Sequence, residues 1–426
     1  MFSSFAFRSR PPVSSSSFAR PVSRRAKLRH WLAGLPLIAV AAIAFNGPAP
    51  ATMSTEPVTA AELRQEYRWS LSNAKKLLAV AEDSAAEGLN PADYQVDALR
   101  RAIAAGEKGP ELDMVASAAA LSLAHDYANG RIEDKAALDW HFAPPVDANL
   151  LGTELDSALD QGRVDTWLRG LLPEHSQYRA LRVAYAAAPD AVTRDQLRAN
   201  LERWRWMPRD LGDRYIYVNV PSYRLELIND GAVEASYNVV VGSPKTPTPQ
   251  LLLHAQSVVA NPSWTLPPSV LKEGGWQGKG YQVSKRADGS LMVRQPPGPR
   301  NALGRIKIDM PNAHAIYLHD TPAKAAFGRD VRALSHGCIR VQNIEALAAQ
   351  LQSPGSLDLE DALADPGKTK VLQLERSVPV YLAYFTAQAN VDGTVDLLDD
   401  PYKRDQATLA RLGRGGIGGA IVIAAR

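Results

Sequence analysis

Leu334-Ser-His-Gly-Cys-Ile-Arg340 contains the only cysteine of the 426-residue chain and decides how its second half is interpreted. Because one cysteine excludes an intramolecular disulfide and a multi-cysteine metal site, Cys338 is either a nucleophile or a small buried core residue. Three neighbouring features favour a reactive thiol: His336, the cations Arg332 and Arg340, and a helix predicted to begin just downstream. Since positive charge and a helix N-terminus stabilise a thiolate, the sequence predicts a lowered pKa for Cys338.

Two further residues complete a candidate catalytic set around this thiol. Gly337 leaves the backbone beside the sulfur without a side chain, so that its N–H and that of Cys338 can converge on an oxyanion. Upstream, Ile316-Tyr-Leu-His-Asp-Thr-Pro322 places His319 at the end of an apolar, strand-like stretch, where a pKa near neutrality suits a general base. The histidines of this half show no recognised metal-ligand spacing, and the sequence predicts neither a metal nor a cofactor.

The two halves of the chain differ in hydrophobic period. In the second half, β-branched and aromatic runs predict strands, a helix is predicted at 343–351, and Asn229-Asp-Gly231 between two runs predicts a hairpin. In the first half, apolar residues recur at three- and four-residue steps, which predicts several helices with buried stripes. The predicted fold is therefore multidomain. An all-α domain over 55–205 is followed by a mainly β (α+β) domain over 213–390, with residues 391–426 as a C-terminal tail.

Residues 1–51 differ from the rest in charge and apolarity. They contain seven of the 48 basic residues and no acidic residue, which leaves 41 basic residues against 45 acidic ones in the remainder. The net charge of +3 therefore comes from residues 1–51. The rest of the chain has no excess of positive charge and is not predicted to bind nucleic acid. The basic stretch, the apolar segment Trp31–Phe45 and the small residues Ala49-Pro-Ala51 are typical of a secretory signal peptide, with a retained membrane anchor as the alternative. Under either interpretation, we expect the rest of the chain to be exported.

The segments 316–322 and 334–340 together resemble the signature of L,D-transpeptidases with a YkuD-type catalytic domain: a histidine, a gap of about fifteen residues, then Ser-His-Gly-Cys. The resemblance covers roughly residues 200–405 and extends to the long YcbB-like subfamily. Matching segments include Arg203-Trp-Arg-Trp-Met-Pro208, Asn261-Pro-Ser-Trp264 and, in the subfamily's scaffold region, Gly88-Leu-Asn-Pro-Ala-Asp-Tyr94. Fewer than twenty residues separate Tyr185 from Arg203, which leaves no room for the peptidoglycan-binding domain that close relatives often insert there.

The resemblance implies a periplasmic enzyme of peptidoglycan synthesis, exported by the N-terminal signal or anchored through it to the inner membrane. Cys338 would attack the carbonyl between the third and fourth residues of a stem tetrapeptide and release D-alanine. An amine of a neighbouring stem, on a diamino acid, would then resolve the thioester and form a 3→3 cross-link. The implied partners are peptidoglycan stem peptides, carbapenem β-lactams and proteins of cell-wall synthesis, with no nucleic acid.

The same resemblance assigns catalytic roles. His319 would be the general base, oriented by a backbone carbonyl near Asp320 or by the Asp320 carboxylate. His336 would line the site and help to position the thiol. The amides of Gly337 and Cys338 would hold the oxyanion.

Four more residues are expected to contact substrate. Tyr317 and Ser335 match positions near the substrate, and Arg332 and Arg340 are expected to bind stem carboxylates or to brace the loop. Two alternatives keep the fold and change the acceptor: water gives a carboxypeptidase or endopeptidase, and a protein lysine gives lipoprotein attachment or its reversal. The alternative from another class is a non-catalytic wall-binding scaffold protein.

Overall fold

The structure is a computed structural model, and it describes residues 67–278, 280–352 and 359–414. These residues belong to one compact unit, Gln65–Arg426. The predicted signal peptide or anchor at 1–51 lies outside the described residues. Within them, no helix combines the length and the apolarity that crossing a membrane requires.

The first part is helical, as the apolar spacing predicts. Its helices are α1 (Leu71–Asp83), α2 (Val96–Ala104), α3 (Pro110–Asn129), α4 (Leu151–Asp160), α5 (Val164–Gly170), α6 (Ser176–Ala186) and α7 (Ala191–Trp206). Helix starts follow from side-chain caps: Ser70 accepts from the Asn73 amide before α1, and Asp190 accepts from the Thr193 amide before α7. The apolar faces of α1 to α5 share one buried core.

The second part is mainly β. It runs β1 (Arg214–Asn219), β2 (Arg224–Asn229), β3 (Ala232–Gly242), β4 (Leu251–Ala260), β5 (Trp264–Thr265), α8 (Pro268–Glu273), β6 (Gln282–Lys285), β7 (Leu291–Gln295), β8 (Ile306–Asp309), β9 (Leu318–His319), β10 (Ala333–Ser335), β11 (Ile339–Val341), α9 (Ile344–Leu351), α10 (Leu359–Leu363), β12 (Lys370–Ala383), β13 (Ala387–Ala389), β14 (Val395–Leu397) and α11 (Arg404–Arg414). The predicted fold class, helices followed by a mainly β domain, is confirmed.

Within the described residues, nine strands form one sheet in the order β10-β3-β11-β9-β8-β4-β12-β1-β2. Because β3 also pairs with β2, the sheet closes on itself. The predicted hairpin is confirmed: Asp230 and Gly231 take positive φ of 48° and 75° between antiparallel β2 and β3. Strands β5, β6 and β7 form a separate small sheet that, with α8, makes up the segment 264–295, here called the flap.

One predicted strand is much shorter than expected. The sequence predicts a strand over 315–318, but β9 begins only at Leu318. Ala315 takes a positive φ of 52°, and the Asn312 side chain bonds both the amide and the carbonyl of Ile316. These contacts fix a turn before β9, so that Tyr317 and His319 stand where the chain leaves the turn and enters the sheet.

The segment 391–426, set apart as a tail in the sequence, contains β14 and α11 within its described part. Helix α11 packs on α7, where Arg203 forms a 2.6 Å ion pair with Asp405 and Leu412 is buried. Its apolar residues therefore complete a core that the helices share with β1, β2 and β12.

Candidate active site at Cys338

One face of the sheet collects four of the eight predicted site residues: Cys338, His319, Tyr317 and Arg340. In the register of β8, β9 and β11, Lys307 lies opposite His319, and His319 lies opposite Arg340. Side chains alternate between the two faces of a strand, so residues two positions away share this face, namely Asp309, Tyr317 and Cys338. The alternate residues of these strands lie on the other face and are fully buried in the core: Ile306, Ile308, Leu318, Ile339 and Val341. Three short strands thus bring together a thiol, an imidazole, a phenol and two cations.

His319 is buried and held as a neutral base. Its Nδ1–H donates to the Asp320 backbone carbonyl at 2.5 Å, which leaves Nε2 as the acceptor nitrogen. Of the two alternatives for orienting this ring, the carbonyl therefore does so, since the Asp320 carboxylate accepts from the Arg305 amide at 2.9 Å and pairs with Lys324. Burial, aided by the positive charge of Arg340, lowers the pKa of His319 to about 3.

The Cys338 thiol is half-buried, with Sγ 3.5 Å from the Ala315 carbonyl oxygen. Burial raises the pKa of Cys338, while hydrogen bonds from Tyr317 and the positive charges of Lys307 and Arg340 act in the opposite direction. The prediction of a lowered pKa is therefore wrong, because desolvation of the thiolate raises the pKa by more than these hydrogen bonds and positive charges lower it. A thiol of this kind needs a base that takes its proton during attack.

The loop that carries the thiol is braced from within. The Ser335 hydroxyl donates to the Cys338 carbonyl at 2.6 Å and accepts from the Gly337 amide at 3.1 Å. Thr248 donates its hydroxyl to the Gly337 carbonyl at 2.7 Å. Ser335 is buried and so holds the loop, which corrects its expected place against substrate.

Gly337 also differs from its expected role. Its amide is engaged by Ser335 inside the loop, so in this structure it does not point at an oxyanion. Its φ of +112° lies in the region that favours glycine, and the residue's contribution here is the shape of the loop. Of the predicted pair of oxyanion donors, the Cys338 amide remains a prediction.

His336 and the two arginines occupy three different environments. The His336 ring is about half exposed, and its Nε2 lies 3.1 Å from both carboxylate oxygens of Glu273 in the flap. The Arg332 guanidinium donates to three backbone carbonyls, those of Val239, Arg329 and Tyr223. Arg332 therefore ties the loop before β10 to β3 and to Tyr223, a contact pattern of the kind expected for bracing the loop. Arg340 lies half-buried beside His319, on the face of the thiol.

Family comparisons agree with this geometry. Residues 213–376 match the family described as the L,D-transpeptidase catalytic domain (YkuD), and residues 63–184 match the Scaffold domain family. This chain carries a YkuD L,D-transpeptidase catalytic domain behind a Scaffold domain. The pairing of these domains is consistent with the YcbB-like subfamily.

The catalytic domain has curated and solved relatives. A Haemophilus influenzae protein named as a candidate L,D-transpeptidase is 29% identical over 289 residues, which cover 60% of this chain and 58% of that protein. The chain thus spans less than two thirds of that relative. The ertapenem-acylated catalytic domain of the E. faecium L,D-transpeptidase is 16% identical, covering 41% of this chain and 99% of its own, at a TM-score of 0.25. Mycobacterium tuberculosis L,D-transpeptidase 1 is 15% identical, covering 40% and 61%, at 0.22.

Residues of the catalytic domain that sequence reasoning missed also lie around the thiol. The Lys307 ammonium stands 4.6 Å from the centroid of the Tyr317 ring and pairs with Asp309 at 2.5 Å. Trp264 of the flap hydrogen-bonds to the Tyr317 side chain, whose pKa burial raises. The sequence signal that could have identified Lys307 and Asp309 is the alternation Ile306-Lys-Ile-Asp309, which places charged residues within a short strand. The described residues contain no group of three side chains arranged to hold a metal ion.

Proposed function

We propose that the protein is a peptidoglycan L,D-transpeptidase that forms 3→3 cross-links through a thioester on Cys338. The observation that carries the proposal is the shared sheet face on which Cys338, Tyr317 and a neutral His319 meet. An exported wall enzyme also fits the N-terminal pattern, and we propose the periplasm as its location.

In the first half-reaction, the Cys338 sulfur bonds to the carbonyl carbon between the third and fourth stem residues. His319 Nε2 takes the thiol proton and delivers it to the amine of the departing D-alanine, so that the C–N bond breaks and the thioester remains. Because neither group is charged at neutral pH, proton transfer accompanies the attack. The Cys338 amide and the nearby cations Arg340 and Lys307 stabilise the negative charge on the carbonyl oxygen.

The second half-reaction transfers the acyl group. The amine of a neighbouring stem bonds to the acyl carbon, the C–S bond breaks, and the proton of the amine returns to the sulfur through His319. The same chemistry accounts for inhibitors: we propose that a carbapenem acylates Cys338, as ertapenem acylates the E. faecium domain.

Incubation of the purified protein with disaccharide tetrapeptides, followed by mass spectrometry, tests this function. We expect 3→3-linked dimers and free D-alanine from the native protein and neither from Cys338→Ala. Tripeptide without dimer would favour hydrolysis instead. No turnover by the native protein, with substrate binding unchanged in Cys338→Ala, would favour the non-catalytic scaffold.

A further inference from the structure

Lys307 and Asp309 are the two charged residues of β8, and both lie on the face of the thiol. The Lys307 ammonium is 2.5 Å from the Asp309 carboxylate and 4.6 Å from the centroid of the Tyr317 ring. Since Lys307 lies opposite His319 in the register, it reaches Tyr317 along the diagonal of the strand pair. The Lys307 and Asp309 side chains are 23% and 35% exposed, so the pair is only partly solvated.

Tyr317 is the residue that connects this pair to the thiol. Its backbone amide and its hydroxyl both hydrogen-bond to the Cys338 sulfur. The Trp264 indole N–H donates to the same hydroxyl oxygen, and because a phenol carries one proton, that proton is left for the sulfur. Burial raises the pKa of Tyr317, and the nearby negative charge of a Cys338 thiolate and of Asp309 raises it further. The phenol therefore stays protonated and remains a donor.

A cation against the face of a phenol changes the strength of its hydroxyl as a donor. The ammonium attracts the ring electrons and so withdraws density from the phenol oxygen. The O–H group then donates more strongly, above all to a thiolate, since hydrogen bonds to charged groups are the stronger ones. Burial raises the pKa of Cys338, and the bonds from Tyr317 oppose that rise. The position and charge of Lys307 thus affect how readily the thiol gives up its proton.

Asp309 acts on the same ammonium in two ways. Its carboxylate holds Lys307 in place, and its negative charge offsets part of the positive charge that the Tyr317 ring experiences. These two contributions are separable, because an asparagine keeps an oxygen that accepts from Lys307 but carries no charge. Removal of the cation and removal of the carboxylate charge therefore have opposite effects on the thiol.

We propose that Lys307 and Asp309 are a positioning pair that sets the strength of the hydrogen bond from Tyr317 to the Cys338 sulfur. Lys307 strengthens this bond through the face of the ring, and Asp309 holds the ammonium there and limits its charge. The bond stabilises the negative charge that collects on sulfur as His319 takes the proton. The inference rests on the proposed function, in which Cys338 is the nucleophile, and it adds two residues that act through Tyr317.

Alkylation by iodoacetamide tests the pair on the thiol itself and needs no peptidoglycan substrate. Because Cys338 is the only cysteine of the chain, loss of free thiol reports on one site. At about pH 7.5 the rate follows the fraction of thiolate. We expect Lys307→Gln to slow alkylation about threefold and Asp309→Asn to accelerate it about threefold. Lys307→Arg keeps a cation on the ring and should retain the native rate. Slowing in both Lys307→Gln and Asp309→Asn, or no change in either, would overturn the assignment.

Lys368 and Asp365 provide the matched control, since they form a pair at 3.1 Å with more exposed side chains. Lys368→Gln and Asp365→Asn should both keep the native alkylation rate. The route through the ring is tested in a Tyr317→Phe background, where we expect most of the slowing by Lys307→Gln to vanish. Equal slowing by Lys307→Gln with and without the phenol hydroxyl would refute a role through Tyr317.

Formation of 3→3 dimers from disaccharide tetrapeptides separates the two proposals. Alkylation rates that move in opposite directions in Lys307→Gln and Asp309→Asn, without any dimer from the native protein, refute the proposed function and support the pair. Dimer formation by the native protein, with the native alkylation rate in both variants, refutes the pair alone.

Discussion

At the scale of single residues, Cys338 and His319 titrate on opposite sides of the physiological range, because burial disfavours the charged form of each. The pKa of His319 is lowered to about 3, and that of Cys338 is raised above its ordinary value. Both are neutral at pH 7, and neither changes charge between roughly pH 5 and 8. We therefore expect the rate of carbapenem acylation of Cys338 to be flat across that interval.

Mass spectrometry of samples quenched at successive times gives this rate at each pH. His254→Gln alters an exposed histidine on β4 and is the matched control, with an unchanged profile expected. A rate that falls tenfold per pH unit below about 6.5, the ordinary histidine value, would contradict a depressed pKa for His319. The sequence predicts both residues as catalytic but predicts the wrong direction for the pKa shift of the thiol. The direction depends on burial, which the neighbouring residues in the sequence do not report.

At the scale of elements, the loop between β10 and β11 depends on Ser335. Ser335→Ala would leave the Gly337 amide and the Cys338 carbonyl without their internal partner, at a cost of about 1–3 kcal/mol in the free energy of unfolding. We expect kcat to fall on the order of tenfold to hundredfold as the thiol loses its position, with KM for the stem peptide unchanged. Ser335→Thr keeps the hydroxyl and is the control. A rise in KM with kcat unchanged would instead restore the substrate-binding role expected from the sequence.

A period-two pattern predicts a strand where one face is buried in the core. Of the three strands that build the site, the sequence predicts β8 (as 306–308) and β9 (as 315–318) but not β11. The pattern at Ile306-Lys-Ile-Asp309 is such a case, with both isoleucines fully buried. The sequence could not supply the register in which the strands pair. The opposition of Lys307 to His319, and of His319 to Arg340, follows from pairing between segments distant in sequence. For the same reason Lys307 was missed as a neighbour of the thiol.

At the scale of the whole molecule, the helical and β parts share a core, and helix α7 in that core carries a buried ion pair. Glu202 and Arg205 of α7 are both fully buried and pair at 2.6 Å. Glu202 also accepts from the Ile132 amide at 2.9 Å and from the Trp206 indole at 3.0 Å. The sequence marked this segment only as a family resemblance, because no local pattern shows that charged side chains on a helix lie in an interior.

Glu202→Gln leaves the Arg205 guanidinium buried without its counter-charge, and we expect the free energy of unfolding to fall by about 3–5 kcal/mol. Glu345→Gln breaks a pair with Arg305 in which both side chains are about half exposed, and should cost under about 1 kcal/mol. Urea unfolding followed by tryptophan fluorescence and by far-ultraviolet circular dichroism measures both. Because α7 packs on both parts, the two signals should shift together in Glu202→Gln. Separate transitions, or an equal small loss in both variants, would contradict a core that couples the Scaffold domain to the catalytic domain.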